Sequence, residues 1–81
     1  MTDFKLHAGD LIEVHGFVML KGLNEGRYRV RSISLFYGAP VYTFTRPKGK
    51  KTVAVHRVTS VDTWIREADD PDLNKIVRIQ T

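Results

Sequence analysis

Along much of this chain apolar and polar residues alternate one by one in short runs, and the runs stop at turn-forming residues. That period of two belongs to half-buried β-strands and argues against a mainly helical protein. The first run follows the Gly9-Asp10 turn: Ile12 and Val14 alternate with Glu13 and His15, which predicts a strand over 10–18. Met19 to Gly26 carries Gly22 and the Asn24-Glu25-Gly26 turn and is too long for a tight hairpin, so it is expected to fold over the surface. Arg27 to Tyr37 alternates again, with its apolar phase moving from even positions (Tyr28, Val30) to odd ones (Ile33, Leu35, Tyr37). A slip of one residue predicts a bulge or sharp bend near Arg31 and Ser32, through which one strand serves two curved sheets.

Gly38-Ala39-Pro40 reads as a turn, after which Val41–Arg46 resumes the alternation with Tyr42 and Phe44 on one face and Thr43 and Thr45 on the other. Pro47-Lys48-Gly49-Lys50 has the composition of a hairpin loop, and residues 52–58 form the next strand, with Val53 and Val55 sharing a face. Val58–Ser60 is expected to make a brief helical turn, and residues 61–66 around Trp64 and Ile65 form a short strand or the start of a short helix. Asp70-Pro71 marks a loop or a helix start, and Ile76–Gln80 reads as a closing strand.

At 81 residues there is room for one core and one domain, and a hydrophobic fraction of 42% is enough to build it. The absence of cysteine removes disulfides and thiolate metal sites. Five to six short antiparallel strands, with one short helical turn near the C-terminus, predict an all-β small barrel or roll. The opening Met1–Ile12 has no signal-peptide pattern, and no apolar run approaches the roughly eighteen residues of a membrane helix, so a cytoplasmic location is expected.

The order of a strand, a long loop, three meander strands, a brief turn and a closing strand resembles the SH3-like barrels. Within them Gly9-Asp10-Leu11-Ile12-Glu13-Val14 followed by Gly26-Arg27-Tyr28-Arg29-Val30 is weakly similar to KOW and Tudor-type modules, across residues 9–66. Met19–Leu23 departs from the glycine-dense linker of a KOW motif.

Charge is distributed unevenly. Arg27, Arg29, Arg31, Arg46, Lys48, Lys50, Lys51 and Arg57 lie in an interval that has no acidic residue, whereas the flanks carry the other five cations and all nine acids; the net charge of +4 is therefore +8 in the middle and −4 outside. On an extended strand Arg27, Arg29 and Arg31 share a face at about 6 to 7 Å from one to the next, a spacing that suits consecutive phosphates. The Arg46–Lys51 loop adds flexible point charges. Each feature has a plainer explanation, a solvated strand face and lysines that keep a sheet edge from aggregating. The two become one patch only if the fold sets them side by side.

Phe36, Tyr37, Tyr42, Phe44 and Trp64 offer aromatic faces that could stack on bases or, in a Tudor-like arrangement, cage a methylated cation, although most are core material in a chain of this size. Tyr37 and Tyr42 flank the expected turn and are the rings best placed for exposure, and hence for stacking on a base or for a methyl-cation cage. His7, His15 and His56 have no metal-binding spacing, and no nucleophile motif or phosphate loop is present, so neither metal nor cofactor nor catalysis is expected. Glu67, Asp69, Asp70 and Asp72 read as a solvated loop, or as a segment that docks a basic surface or folds over the arginine strand. The leading expectation is a small basic nucleic-acid-binding barrel, for DNA or RNA, that acts through phosphate contacts. The second is a protein-interaction module that meets an acidic protein surface and regulates or inhibits its partner, in the manner of an accessory factor or a phage-type inhibitor.

Overall fold

The computed structural model describes residues 4–80. Its first strand is set by Asp10, a buried carboxylate that accepts the backbone N–H of His7 at 2.8 Å and thereby closes the turn. Beyond it run β1 (Leu11–His15), β2 (Gly26–Phe36), β3 (Ala39–Thr45), β4 (Thr52–Arg57), the short helix α1 (Val58–Asp62) and β5 (Lys75–Gln80). The strands make one antiparallel sheet in the order β4-β3-β2-β1-β5. This is the expected all-β roll with its one helical turn, and the sheet stays open instead of closing into a barrel.

The bend falls where the phase slip places it. β2 pairs through Gly26–Arg29 with β1 and through Arg29–Phe36 with β3, and the register shifts between Val30 and Ser32, leaving Arg31 without a partner. One long strand thus serves both halves of a single bent sheet, and not two separate sheets. Before the bulge the even residues Tyr28 and Val30 are buried, and after it Ile33 packs against the core while Leu35 remains exposed. Ile12, Val14, Tyr28, Val30, Tyr42, Phe44 and Ile76 fill the interior, joined by Leu6 from the N-terminal segment and by Val58 and Val61 from α1.

Several boundaries move. β1 ends at His15, short of residue 18, because the chain turns away there to carry Val18 and Leu23 into the core. The β2–β3 turn is Tyr37-Gly38 alone, with Phe36 opposite Ala39 and positive φ at both turn residues, 51° and 79°. Two such residues make the loop whose twist matches the flanking strands. Ala39 and Pro40, expected in the turn, therefore already belong to β3. The strand considered for 61–66 does not form: α1 takes Val61 and Asp62, and Ile65 makes only an isolated bridge to Ile76.

The Met19–Gly26 segment lies along the β4 edge, as a loop folded over the surface. A Cβ on Gly22, at φ +88°, would come within 2.6 Å of the Val53 carbonyl oxygen. His56 Nε2 lies 2.6 Å from the Lys21 carbonyl, which can only accept, so that nitrogen carries the proton. Among the described residues no helix is long and apolar enough to cross a membrane.

Candidate nucleic-acid interface

The Arg46–Lys51 loop is built by a turn in which Gly49 N–H donates to the Arg46 carbonyl at 3.0 Å, with Pro47 at the second position, where its fixed φ is favoured. The loop docks on β2. Arg29 Nε donates to the Pro47 carbonyl at 3.2 Å and its Nη1 to the Gly9 carbonyl at 2.8 Å, while Arg31 Nη1 donates to the Lys50 carbonyl at 3.0 Å. The two basic features of the sequence therefore share one surface. Between them is a shallow depression of about 290 Å³ lined by Gly9, Arg29, Val30, Arg31, Thr45, Gly49 and Lys50.

The eight cations of the acid-free interval are not equivalent there. Arg27 reaches across to β1 and pairs with Glu13 at 3.2 Å, and Glu13 also meets His15 Nε2 at 2.9 Å, so Arg27 is already partly neutralised. Arg46 places its guanidinium carbon 4.6 Å from the Tyr28 ring centroid, a cation–π contact that holds it against the strand. Arg29 spends two of its donors on carbonyls and Arg31 one, so these residues fix the loop's position and keep further N–H groups for a ligand. Among the described residues Lys48, Lys50, Lys51 and Arg57 have no carboxylate within ion-pair distance. The evenly spaced ladder of three arginines is not kept, because Arg31 is the bulge residue and Arg27 faces Glu13.

Arg57 is farther along the sheet. On the face opposite Tyr42 and Phe44 the pairing register makes one row of Ser32, Thr43 and Val55 and the next of Ser34, Val41 and Arg57, with Val41 itself buried between its neighbours. The same face ends at Phe36, beside the turn residue Tyr37. Tyr37 is 92% exposed and Phe36 60%, their rings packed edge to face with centroids 4.5 Å apart.

Tyr42, expected to share exposure with Tyr37, is fully buried and is not available for stacking. It pairs with Ile33 on the inner face. Its hydroxyl accepts the Leu6 N–H at 3.2 Å and donates to Asp62 Oδ1 at 2.9 Å. Burial first, and the nearby Asp62 carboxylate next among the raising influences, push this phenol far above its ordinary pKa, against the lowering effect of the Leu6 N–H.

The acidic segment contacts other residues than the arginine strand. Arg66 Nε is 3.9 Å from Asp72, and Lys75 Nζ donates to the carbonyls of Ala68 and Asp70. A depression of about 530 Å³ there, lined by Lys5, Arg66, Glu67, Asp70 and Arg78 among others, mixes charges of both signs. It is a poorer seat for a polyanion than the loop–strand surface. Among the described residues no group of three metal-ligating side chains converges.

Sequence reasoning did not find Glu13 as the partner of Arg27, since the register of β1 on β2 depends on the path of the intervening loop. It counted Phe36 among the rings that could stack on a base without singling it out, although the phase slip at Arg31 turns Phe36 outward. Searches against protein-family models, curated proteins and solved structures find no match to this chain.

Proposed function

We propose that the chain is a nucleic-acid-binding module, not an enzyme, that grips phosphates with the surface formed by Arg29, Arg31 and the Arg46–Lys51 loop. The observation that carries this reading is the docking of the lysine loop on the arginine strand, through the bonds from Arg29 to Pro47 and from Arg31 to Lys50. Guanidinium groups with N–H donors to spare line a surface depression with Lys50, which, like Lys48 and Lys51 in the same loop, has no carboxylate within ion-pair distance among the described residues. A surface shaped only for solubility mixes both signs of charge.

The reading is tested by fluorescence anisotropy with labelled single-stranded DNA, RNA and duplex DNA. About five phosphate contacts, from Arg29, Arg31, Lys48, Lys50 and Lys51, predict a loss of roughly a hundred- to five-hundredfold in affinity between about 50 and 200 mM salt. Absence of binding at the lower salt overturns it. A second reading, docking on an acidic protein whose activity is then regulated or blocked, draws on Phe17 and Leu73, which are 70% and 83% exposed. Their loops are joined by the Phe17 N–H donating to Asn74 Oδ1 at 2.9 Å. Capture of one acidic partner, with Phe17 required and nucleic acid without effect, would favour that alternative.

A further inference from the structure

The basic surface and the aromatic turn lie at opposite ends of the same two strands, and on the same face. From Thr45, which lines the basic depression, to Ala39, which faces Phe36, β3 advances six residues, about 20 Å at strand spacing. Between the ends the face presents the hydroxyls of Ser32, Ser34 and Thr43 and, in the Ser34–Val41 row, the cation Arg57. We propose that this face is a track for a single-stranded nucleic acid, with phosphates held by Arg31, Lys50 and Arg57 and one unpaired base stacked on the Phe36–Tyr37 pair. The proposal rests on the nucleic-acid reading above and names its substrate.

Three observations favour a single strand. Successive side chains on one face of a strand are about 6 to 7 Å apart, so the track accommodates about four nucleotides, the lower end of what one small barrel covers. The ring pair is free to receive a base: Phe36 and Tyr37 contact each other edge to face, lie outside the core, and are the most solvent-accessible aromatic pair on this face. A duplex keeps its base faces stacked and so offers no free face to the ring pair. Tyr37 also occupies a left-handed conformation, at φ 51°, that suits Gly or Asn and is unfavourable for an aromatic residue. A ring held there at a cost to the fold, and contributing nothing to the core, points to a ligand. Insertion of the turn as a wedge into a duplex is the rival arrangement. Such a wedge is repaid by a bent duplex that wraps more protein surface around the inserted ring; here Arg57 is the cation in the rows next to the turn, and the lysine loop is at the far end of β3.

The test compares the full chain with a Phe36→Ala/Tyr37→Gly variant. Both positions are exposed and glycine suits the positive φ, so the variant keeps the fold, as its thermal melt verifies. The probes are an eight-nucleotide oligothymidylate, the matching oligouridylate and a duplex of equal phosphate number, at one salt concentration and then across a salt series. The track predicts tighter binding of the single strands than of the duplex. It also predicts that the variant loses about tenfold or more on the single strands alone, with its salt slope unchanged. 2-Aminopurine moved along the strand should be quenched at one position in the parent and at none in the variant. Equal binding of single strands and duplex, unaltered in the variant, overturns the track and leaves the phosphate site standing. Equal weakening on the duplex overturns it in favour of the wedge. No binding of any probe at low salt overturns both proposals.

Discussion

Tyr42 and Tyr37 show how differently one residue type is used a few positions apart. Tyr42 ties Leu6 on the N-terminal segment to Asp62 at the end of α1. Tyr42→Phe removes the acceptor of a buried N–H, and we expect a stability loss of about 1 to 3 kcal/mol by urea denaturation. Because the folded state holds this phenol neutral well above the value it has when unfolded, its contribution is complete below about pH 10 and is lost as the pH rises further. The parent should therefore lose stability more steeply than the Phe variant on the alkaline limb, and identical limbs would contradict this. Tyr37→Gly should act oppositely and raise stability by about 0.5 to 1 kcal/mol, the strain of a left-handed aromatic less the entropy of glycine, measured in the same way. The exposure of Tyr37 was legible in the sequence because it adjoins Gly38. The burial of Tyr42 was legible only in part: alternation puts it on the face of Phe44, but a turn expected to reach Pro40 set it at a strand end, whereas the turn confined to Tyr37-Gly38 leaves it well inside the strand.

Elements were easier to read than their ends. The alternation in β1 to β4 and the slip at Arg31 follow directly from which positions are apolar, since a strand side chain has only two directions to choose from. Residues 61–75 were harder, because a single helical turn and an isolated bridge leave no period long enough to detect. The loop between β1 and β2 was recognised as a surface loop, yet nothing local announced that it covers the β4 edge. That contact is long-range and depends on Gly22 lying against the Val53 carbonyl. We expect Gly22→Val to cost roughly 2 to 3 kcal/mol, from the positive φ and the clash together. It should also bare the β4 edge, so that size-exclusion chromatography reveals self-association that the parent does not show.

For the whole molecule, the segregation of charge is the most legible feature, and its meaning depends on the fold. Part of the +8 interval forms one surface because the Arg46–Lys51 loop returns to β2 at Arg29 and Arg31, a contact that no residue count contains. We expect Lys48→Glu/Lys50→Glu to weaken nucleic-acid binding about tenfold or more and to reduce the salt slope by about two, with the melting temperature nearly unchanged. A slope equal to the parent's would place the phosphates elsewhere. The strand order has a kinetic consequence as well. β2, β3 and β4 form two successive hairpins whose loops are short to close, whereas β1 meets β5 through partners as distant in the chain as Leu11 and Gln80. Closing so long a loop delays that pairing, and pairings of this kind are slow to form. The track belongs entirely to the early, local hairpins, so its framework should assemble before β1 and β5 are brought together and should outlast their separation. In hydrogen exchange the amides of β5 should accordingly lose protection ahead of those at the centre of β3.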